Sequence, residues 1–162
     1  MPEMVNIEVI ESAVQLACRA PSLHNSQPWR WVEVQSTPAR RAVRESFAAC
    51  NADALGGYDG EQAKLYASLK LDGLDAAPVQ LAVFCDRETG QGAGLGRRTI
   101  AYMLEYSTVT AVHSFWLAAR ARGVGVGWVS ILDPETVSRV LDVPSTWKLV
   151  AYLCIGWPQE QH

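Results

Sequence analysis

Between Arg19 and Trp31 the chain runs RAPSLHNSQPWRW, setting two serines, a histidine, an asparagine and a glutamine among two prolines and two tryptophans. Hydroxyl and amide groups at Ser22, Asn25 and Gln27 can hydrogen-bond the polar rim of a flat ligand while apolar neighbours cover its face. The same groups can serve a helix-to-strand turn in which Ser22 and Asn25 bond local backbone, and their types alone leave both uses open. Two glycine-rich segments, RETGQGAGLG from Arg87 and GVGVGWVSIL from Gly123, are the next candidates. Neither has the G-x-G-x-x-G spacing of a dinucleotide-binding turn. Gly92, Gly94, Gly96 and Gly123, Gly125, Gly127 recur at every second residue, and no Gly-Lys-Ser/Thr follows to make a P-loop. Freedom in turns and close approach of a ligand explain these glycines equally well.

Other chemistries lack parts. His24, His113 and His162 are the three histidines, too few for the three or four convergent ligands of zinc, so no metal site is expected. His113 falls in an apolar helical pattern, where a packed core or interface histidine is expected, and no G-x-S-x-G elbow is present. Cys18, Cys50, Cys85 and Cys154 are far apart in apolar company, which points to buried thiols. What remains suits a planar heteroaromatic ligand such as a flavin. Its ring nitrogens and oxygens could meet the side chains of Asn25 or Gln27 and the backbone N–H groups of Trp128 to Ile131.

Positioning these groups requires alternating helices and strands. Apolar Ile10, Ala13, Val14, Ala17 and Cys18 recur at helical spacing, predicting a helix over about 7–20 that Pro21 closes. RWVEVQ, Arg30 to Gln35, reads as a strand. Helices follow over about 38–50 and 61–71, separated by the turn-rich NADALGGYDG. VQLAVFC after Pro78 has the composition of a strand buried on both faces. The longest helical pattern covers about 98–122, apolar around nearly its whole circumference, as a helix covered by other elements or by a second subunit would be. GVGVGWVSIL supplies a third strand and KLVAYLCIGWP the last. Between them Asp133, Pro134 and Glu135 form the cap and first turn of a short helix to about Leu141. The pattern makes one α/β or α+β sandwich domain over 1–162, with no repeat, linker or low-complexity segment.

Bulk properties exclude several partners. A chain of 162 residues, 49% hydrophobic and 19% charged, can bury a full core and carries some excess of apolar surface that suggests a subunit interface. The formal charge is −3 and the basic residues are scattered, so no nucleic acid partner is expected. MPEMVNIEVIES lacks the basic start of a secretory signal, and no run approaches the roughly 20 apolar residues of a membrane span. A cytoplasmic protein without membrane partners is the expectation.

The stretch APSLHNSQPWRW resembles the P-S-x-x-N-x-Q-P-W signature of the FMN-dependent nitroreductase superfamily. VIESAVQLACRAPSLHNSQPWRW is similar to the start of its mycobacterial Acg-type branch, thought to hold FMN with weak or no nitroreductase activity. From about Leu69 onward, LKLDGLDAAPVQLAVFCDR, LEYSTVTAVHSFWLAARARGVGVGWVSILDPE and LVAYLCIGWP are similar to the BluB branch, which breaks down reduced FMN with oxygen to 5,6-dimethylbenzimidazole. The resemblance implies the family's α+β fold, a short central mixed sheet flanked by helices with a long central dimerisation helix. It also implies a homodimer with FMN at the subunit interface. By position, Asn25 matches the signature asparagine that contacts the flavin, with Pro21, Ser22 and Leu23 lining the adjacent wall and Gln27 beside it. Trp128, Val129, Ser130 and Ile131 match the segment along the N5 edge of the ring, and Ser130 matches a serine implicated in oxygen chemistry. The chain begins after the family's R-R-S/D-x-R segment, which holds the FMN phosphate and, in BluB, supplies an aspartate needed for benzimidazole formation. It also lacks the basic residues often found near the family's C-terminus. The phosphate therefore falls to Arg19, Arg30, Arg97 or Arg98, with Arg19 preferred because it abuts the signature loop. Arg19 can equally be a solvated charge at a helix C-terminus. The implied activity is NAD(P)H-dependent reduction of a small planar acceptor, with non-catalytic flavin storage and BluB-like FMN fragmentation as alternatives.

Overall fold

The computed structural model describes residues 3–68 and 72–158. The first helix, α1 (Ile7–Ala17), starts where the Asn6 side chain accepts the Glu8 amide at 2.9 Å, and it buries Ile10, Ala13 and Ala17. A single 3-10 turn (Leu23–Asn25) leads into β1 (Trp29–Glu33). There follow α2 (Thr37–Leu55), α3 (Gly60–Ser68), α4 (Asp72–Ala76), β2 (Val79–Asp86), α5 (Met103–Arg120), β3 (Gly125–Val129), α6 (Pro134–Val140) and β4 (Trp147–Gly156).

The strands form one sheet in the order β1-β2-β4-β3. Every neighbouring pair is antiparallel, which corrects the expected mixed sheet. The like-directed strands, β1 with β4 and β2 with β3, are never adjacent. The crossover through α5 delivers β3 to the far side of the β4 position rather than to the flank of β2, so an opposed strand always intervenes. β2 is buried along all but its last residue, as its unbroken apolar run implied.

Side-chain alternation divides the core between the two faces of the sheet. Val79, Leu81 and Val83 with Leu153 and Ile155 face α1 and α5, where Ala111, Val112, Phe115 and Ala119 meet them. Ala82, Phe84 and Tyr152 face the α2 and α6 side, against Val43, Phe47, Leu74 and Val137. Phe115 is fully buried and packs at 5.3 Å from the Trp31 ring, so truncating it to alanine would cost roughly 3–5 kcal/mol.

Several boundaries differ from expectation. α1 stops at Ala17 because Pro21 disfavours helical geometry at Ala20, and 18–20 form a turn. α2 runs on through NADAL, which holds no helix breaker before Gly56. α5 starts at Met103 rather than near Arg98, since the turns of the glycine segment extend to Ala101 and Tyr102. The short α4 has no apolar periodicity to announce it. The predicted helix end at 69–71 lies outside the described residues.

Candidate flavin site

The signature loop is held in shape by its neighbours. His24, Asn25 and Gln27 have φ of 44°, 52° and 43°, in the left-handed region that side chains rarely adopt. Inside the loop, the Gln27 N–H donates to Ser22 Oγ at 3.1 Å and Gln27 Nε2 donates to Asn25 Oδ1 at 3.1 Å. From α5, Ser107 Oγ accepts the Leu23 N–H at 3.0 Å, and Thr110 Oγ1 donates to the Pro21 carbonyl at 2.8 Å. Asn25 and Pro21 are exposed, while Ser22 and Leu23 are half-buried.

The second predicted group sits elsewhere. Trp128 and Ser130 are exposed, Val129 is buried, and Ile131 packs against the core on the α2 and α6 side. The buried Val129 therefore offers a ligand its backbone rather than its side chain. β3 is an edge strand, so among the described residues alternate N–H and C=O groups along it have no strand partner. From the strand directions, the signature loop before β1 and Ser130 after β3 lie at the same end of the sheet but at opposite edges. Three strand spacings, about 14 Å, separate those edges. One chain does not bring the two groups together.

Of the four arginines considered for a phosphate, two are already committed. Arg30 donates to Asp86 Oδ2 at 2.8 Å and to the carbonyls of Gln27 and Trp29, which pins the loop to the end of β2. Arg97 donates to the carbonyls of Arg87 and Thr89. Arg19 and Arg98 are exposed, and Arg19 adjoins the signature loop. Lys148 and Arg87 approach Glu105 Oε1 at 3.5 and 3.6 Å, beyond good hydrogen-bond length.

A cavity of about 840 Å³ lies at the opposite end of the sheet, between Pro78, Trp116, Gly125, Cys154 and Trp157. Burial pushes the Cys154 thiol there up to about 12, against a smaller opposing effect of Arg40, so it is no thiolate nucleophile at neutral pH. Burial likewise raises the Cys85 thiol. Cys18 and Cys50 are half-buried rather than buried, and all four cysteines are free. No group of three or more His, Cys, Asp or Glu gathers as metal ligands among the described residues; His162 lies outside them.

Among the described residues the candidate donors for FMN fall in two groups: the Asn25 and Gln27 amides beside the exposed Arg19 guanidinium, and the edge-strand backbone near Ser130. Sequence inspection missed Gln91, Gly92, Ser107 and Thr110. They act on the signature loop from 66 to 89 positions away or through close backbone approach. The alternating glycines are the one signal of this in the sequence, and their spacing does not distinguish a turn from a close backbone approach.

The fold is α+β, helices packed on both faces of one antiparallel sheet, and comparison with known proteins narrows the class. The model of the Nitroreductase family matches residues 1–157. The chain is 52% identical over 158 residues to a 5,6-dimethylbenzimidazole synthase of Rhodospirillum rubrum, covering 98% of this chain and 75% of that one. Over 40 residues it is 70% identical to a putative NAD(P)H nitroreductase acg of Mycobacterium tuberculosis, covering 24% of this chain and 12% of that one. Its fold is similar to that of an iodotyrosine deiodinase solved with FMN and 3-iodo-L-tyrosine, with TM-score 0.82 at 22% identity, covering 100% of this chain and 84% of that one. The chain belongs to the nitroreductase family.

Proposed function

We propose that this protein is an FMN-dependent oxidoreductase of the nitroreductase type, whose flavin sites are each completed by two copies of the chain. The observation that carries this reading is the separation of the two donor groups, at one end of the sheet but about 14 Å apart across it. A second copy supplies the missing half. Bound there, FMN supplies a two-electron hydride carrier between NAD(P)H and a small planar acceptor. Asn25 and Gln27 meet the polar edge of the ring from one copy, with Pro21, Ser22 and Leu23 as the wall. From the other copy, the main chain of Trp128, Val129, Ser130 and Ile131 would hold the ring, and the Ser130 hydroxyl would be the catalytic group. Arg19 takes the phosphate.

The contact between copies runs along α5. Tyr102, Tyr106, Val109, His113, Trp116 and Arg120 recur at alternating steps of four and three, the spacing of a helix–helix seam. Tyr106 is 54% exposed and Trp116 is 41% exposed. Residues 1–162 act as one flavin-binding unit in a homodimer. Free thiols at all four cysteines fit a reducing, cytoplasmic compartment. No described helix is long and apolar enough to cross a membrane.

The test is titration of FMN into the purified protein, followed by NADPH oxidation with a nitroaromatic or quinone acceptor. A yellow protein that turns over the acceptor supports the proposal. Tight FMN binding without NADPH consumption selects flavin storage, and a protein that gains no visible absorbance with FMN overturns both. A second reading, oxygen-dependent breakdown of reduced FMN, is favoured by the similarity to a 5,6-dimethylbenzimidazole synthase along nearly the whole chain. Exposing the reduced complex to air and assaying dimethylbenzimidazole decides it.

A further inference from the structure

The glycine segment from Arg87 to Arg97 belongs to neither half of the proposed site, yet it grips the loop that carries Asn25. Gln91 Nε2 donates to the Asn25 carbonyl at 2.7 Å. Gly92 lies so close that a Cβ there would fall 3.0 Å from the His24 carbonyl oxygen and 3.2 Å from Ser26 Cα. The segment is closed on itself by Arg97, whose Nη2 donates to the Thr89 carbonyl at 2.6 Å. Beneath it lie the residues with positive φ, a geometry that persists in non-glycine residues only where the surroundings over-determine it.

We infer that the 87–97 segment is a clasp for the flavin-binding loop, with Gln91 and Gly92 as positioning residues that hold Asn25 in its binding orientation. The inference rests on the proposed flavin site for its function, though not for its geometry. The clasp acts by preorganisation. Without it the loop samples other conformations, and affinity falls by the fraction of time the competent one is populated. The bond from Gln91 holds the Asn25 main-chain carbonyl and so does not draw on the Asn25 side chain, whose Oδ1 accepts from Gln27 Nε2. Gly92 admits the segment to close contact with the loop backbone, where a Cβ would require that backbone to shift by a few tenths of an ångström.

Four variants of the full chain test this. Gln91→Leu removes the donor, Gln91→Lys keeps an N–H donor on a long stem, and Gly92→Ala wedges the clasp open. Gly94→Ala is the control: its φ is +69°, so it shares the backbone strain, but nothing lies within 4 Å of its Cβ position. Two measurements are made, FMN affinity by fluorescence quenching and amide hydrogen exchange at Leu23, Asn25, Ser26 and Gln27 without flavin. Gln91→Leu and Gly92→Ala are expected to weaken FMN about fivefold, the worth of one hydrogen bond, and to speed exchange at those amides. Gln91→Lys and Gly94→Ala should match the wild type in both. Wild-type exchange and affinity in Gln91→Leu, or equal effects of Gly94→Ala and Gly92→Ala, would overturn the clasp. If the wild-type chain binds no FMN, the flavin site fails while the exchange rates still decide the clasp.

Discussion

Two buried residues with opposite polar bookkeeping show how local pairing sets the cost of a substitution. Gln80 is 1% exposed in the central strand. Its Nε2 donates to the Leu74 carbonyl at 2.9 Å, and its Oε1 accepts from the Tyr152 hydroxyl at 2.6 Å. Tyr152→Phe would leave that oxygen dry and unpaired, so we expect a loss of about 1–3 kcal/mol, seen as a lower urea midpoint at unchanged slope. Ser26 is 2% exposed, and its hydroxyl has no partner among the described residues. Ser26→Ala should therefore be neutral or stabilising in the same assay, and a loss above about 1 kcal/mol would mean that the hydroxyl has a bound water as partner. At this scale the candidate site was half legible. Asn25 and Gln27 stand out by type in the signature loop, but residue type does not show that Gln91 holds the Asn25 carbonyl, because that contact exists only once distant loops meet.

Elements are joined in places by single side chains, and Arg40 is the clearest. From the first turns of α2, its Nε donates to the Val34 carbonyl at 2.8 Å, Nη1 to Ala77 at 3.2 Å and Nη2 to Pro78 at 2.9 Å. One planar fork thus ties the end of β1 to the entry of β2. Lysine presents a point charge and cannot reach three carbonyls in that fixed geometry, so Arg40→Lys should cost about 1–3 kcal/mol, measurable by urea unfolding. The strand β2 was legible from its unbroken apolar run, and the α6 start from Asp133 and Pro134, because both signals are local. Strand order was not. The pairing of Val79 with Ile155 and of Trp29 with Cys85 depends on which chain ends the crossovers deliver to which edge. The same limit hid α4, whose five residues carry no period and are tied to the sheet through the Leu74 carbonyl and Gln80.

For the whole molecule, stability and assembly respond to different conditions. The Cys154 thiol is raised from 9.0 to about 12 by burial, and Cys85 is raised in the same direction, so the folded state keeps protons that the unfolded chain releases. That advantage is complete below pH 9.0, the ordinary value of the thiol, and for Cys154 is lost as pH rises from there through about 12. Unfolding midpoints should therefore fall over that window, less steeply in Cys154→Ala. Assembly depends instead on α5. Val109, 39% exposed, lies in the middle of the seam that the proposed dimer uses. A two-fold axis brings two copies of each seam residue into one interface, so Val109→Glu adds two carboxylates to a surface that must lose its water. That should weaken the dimer by about 3 kcal/mol or more, roughly a hundredfold in its dissociation constant. Since Val109 makes no part of the buried core, far-UV circular dichroism should be unchanged while sedimentation shifts to the monomer. In the proposed dimer neither Asn25 nor the Ser130 segment would hold the ring alone, so FMN affinity should then fall with dimer fraction. A V109E protein that sediments as a monomer yet binds FMN as tightly as the wild type would place both halves of the site in one chain, against the strand order.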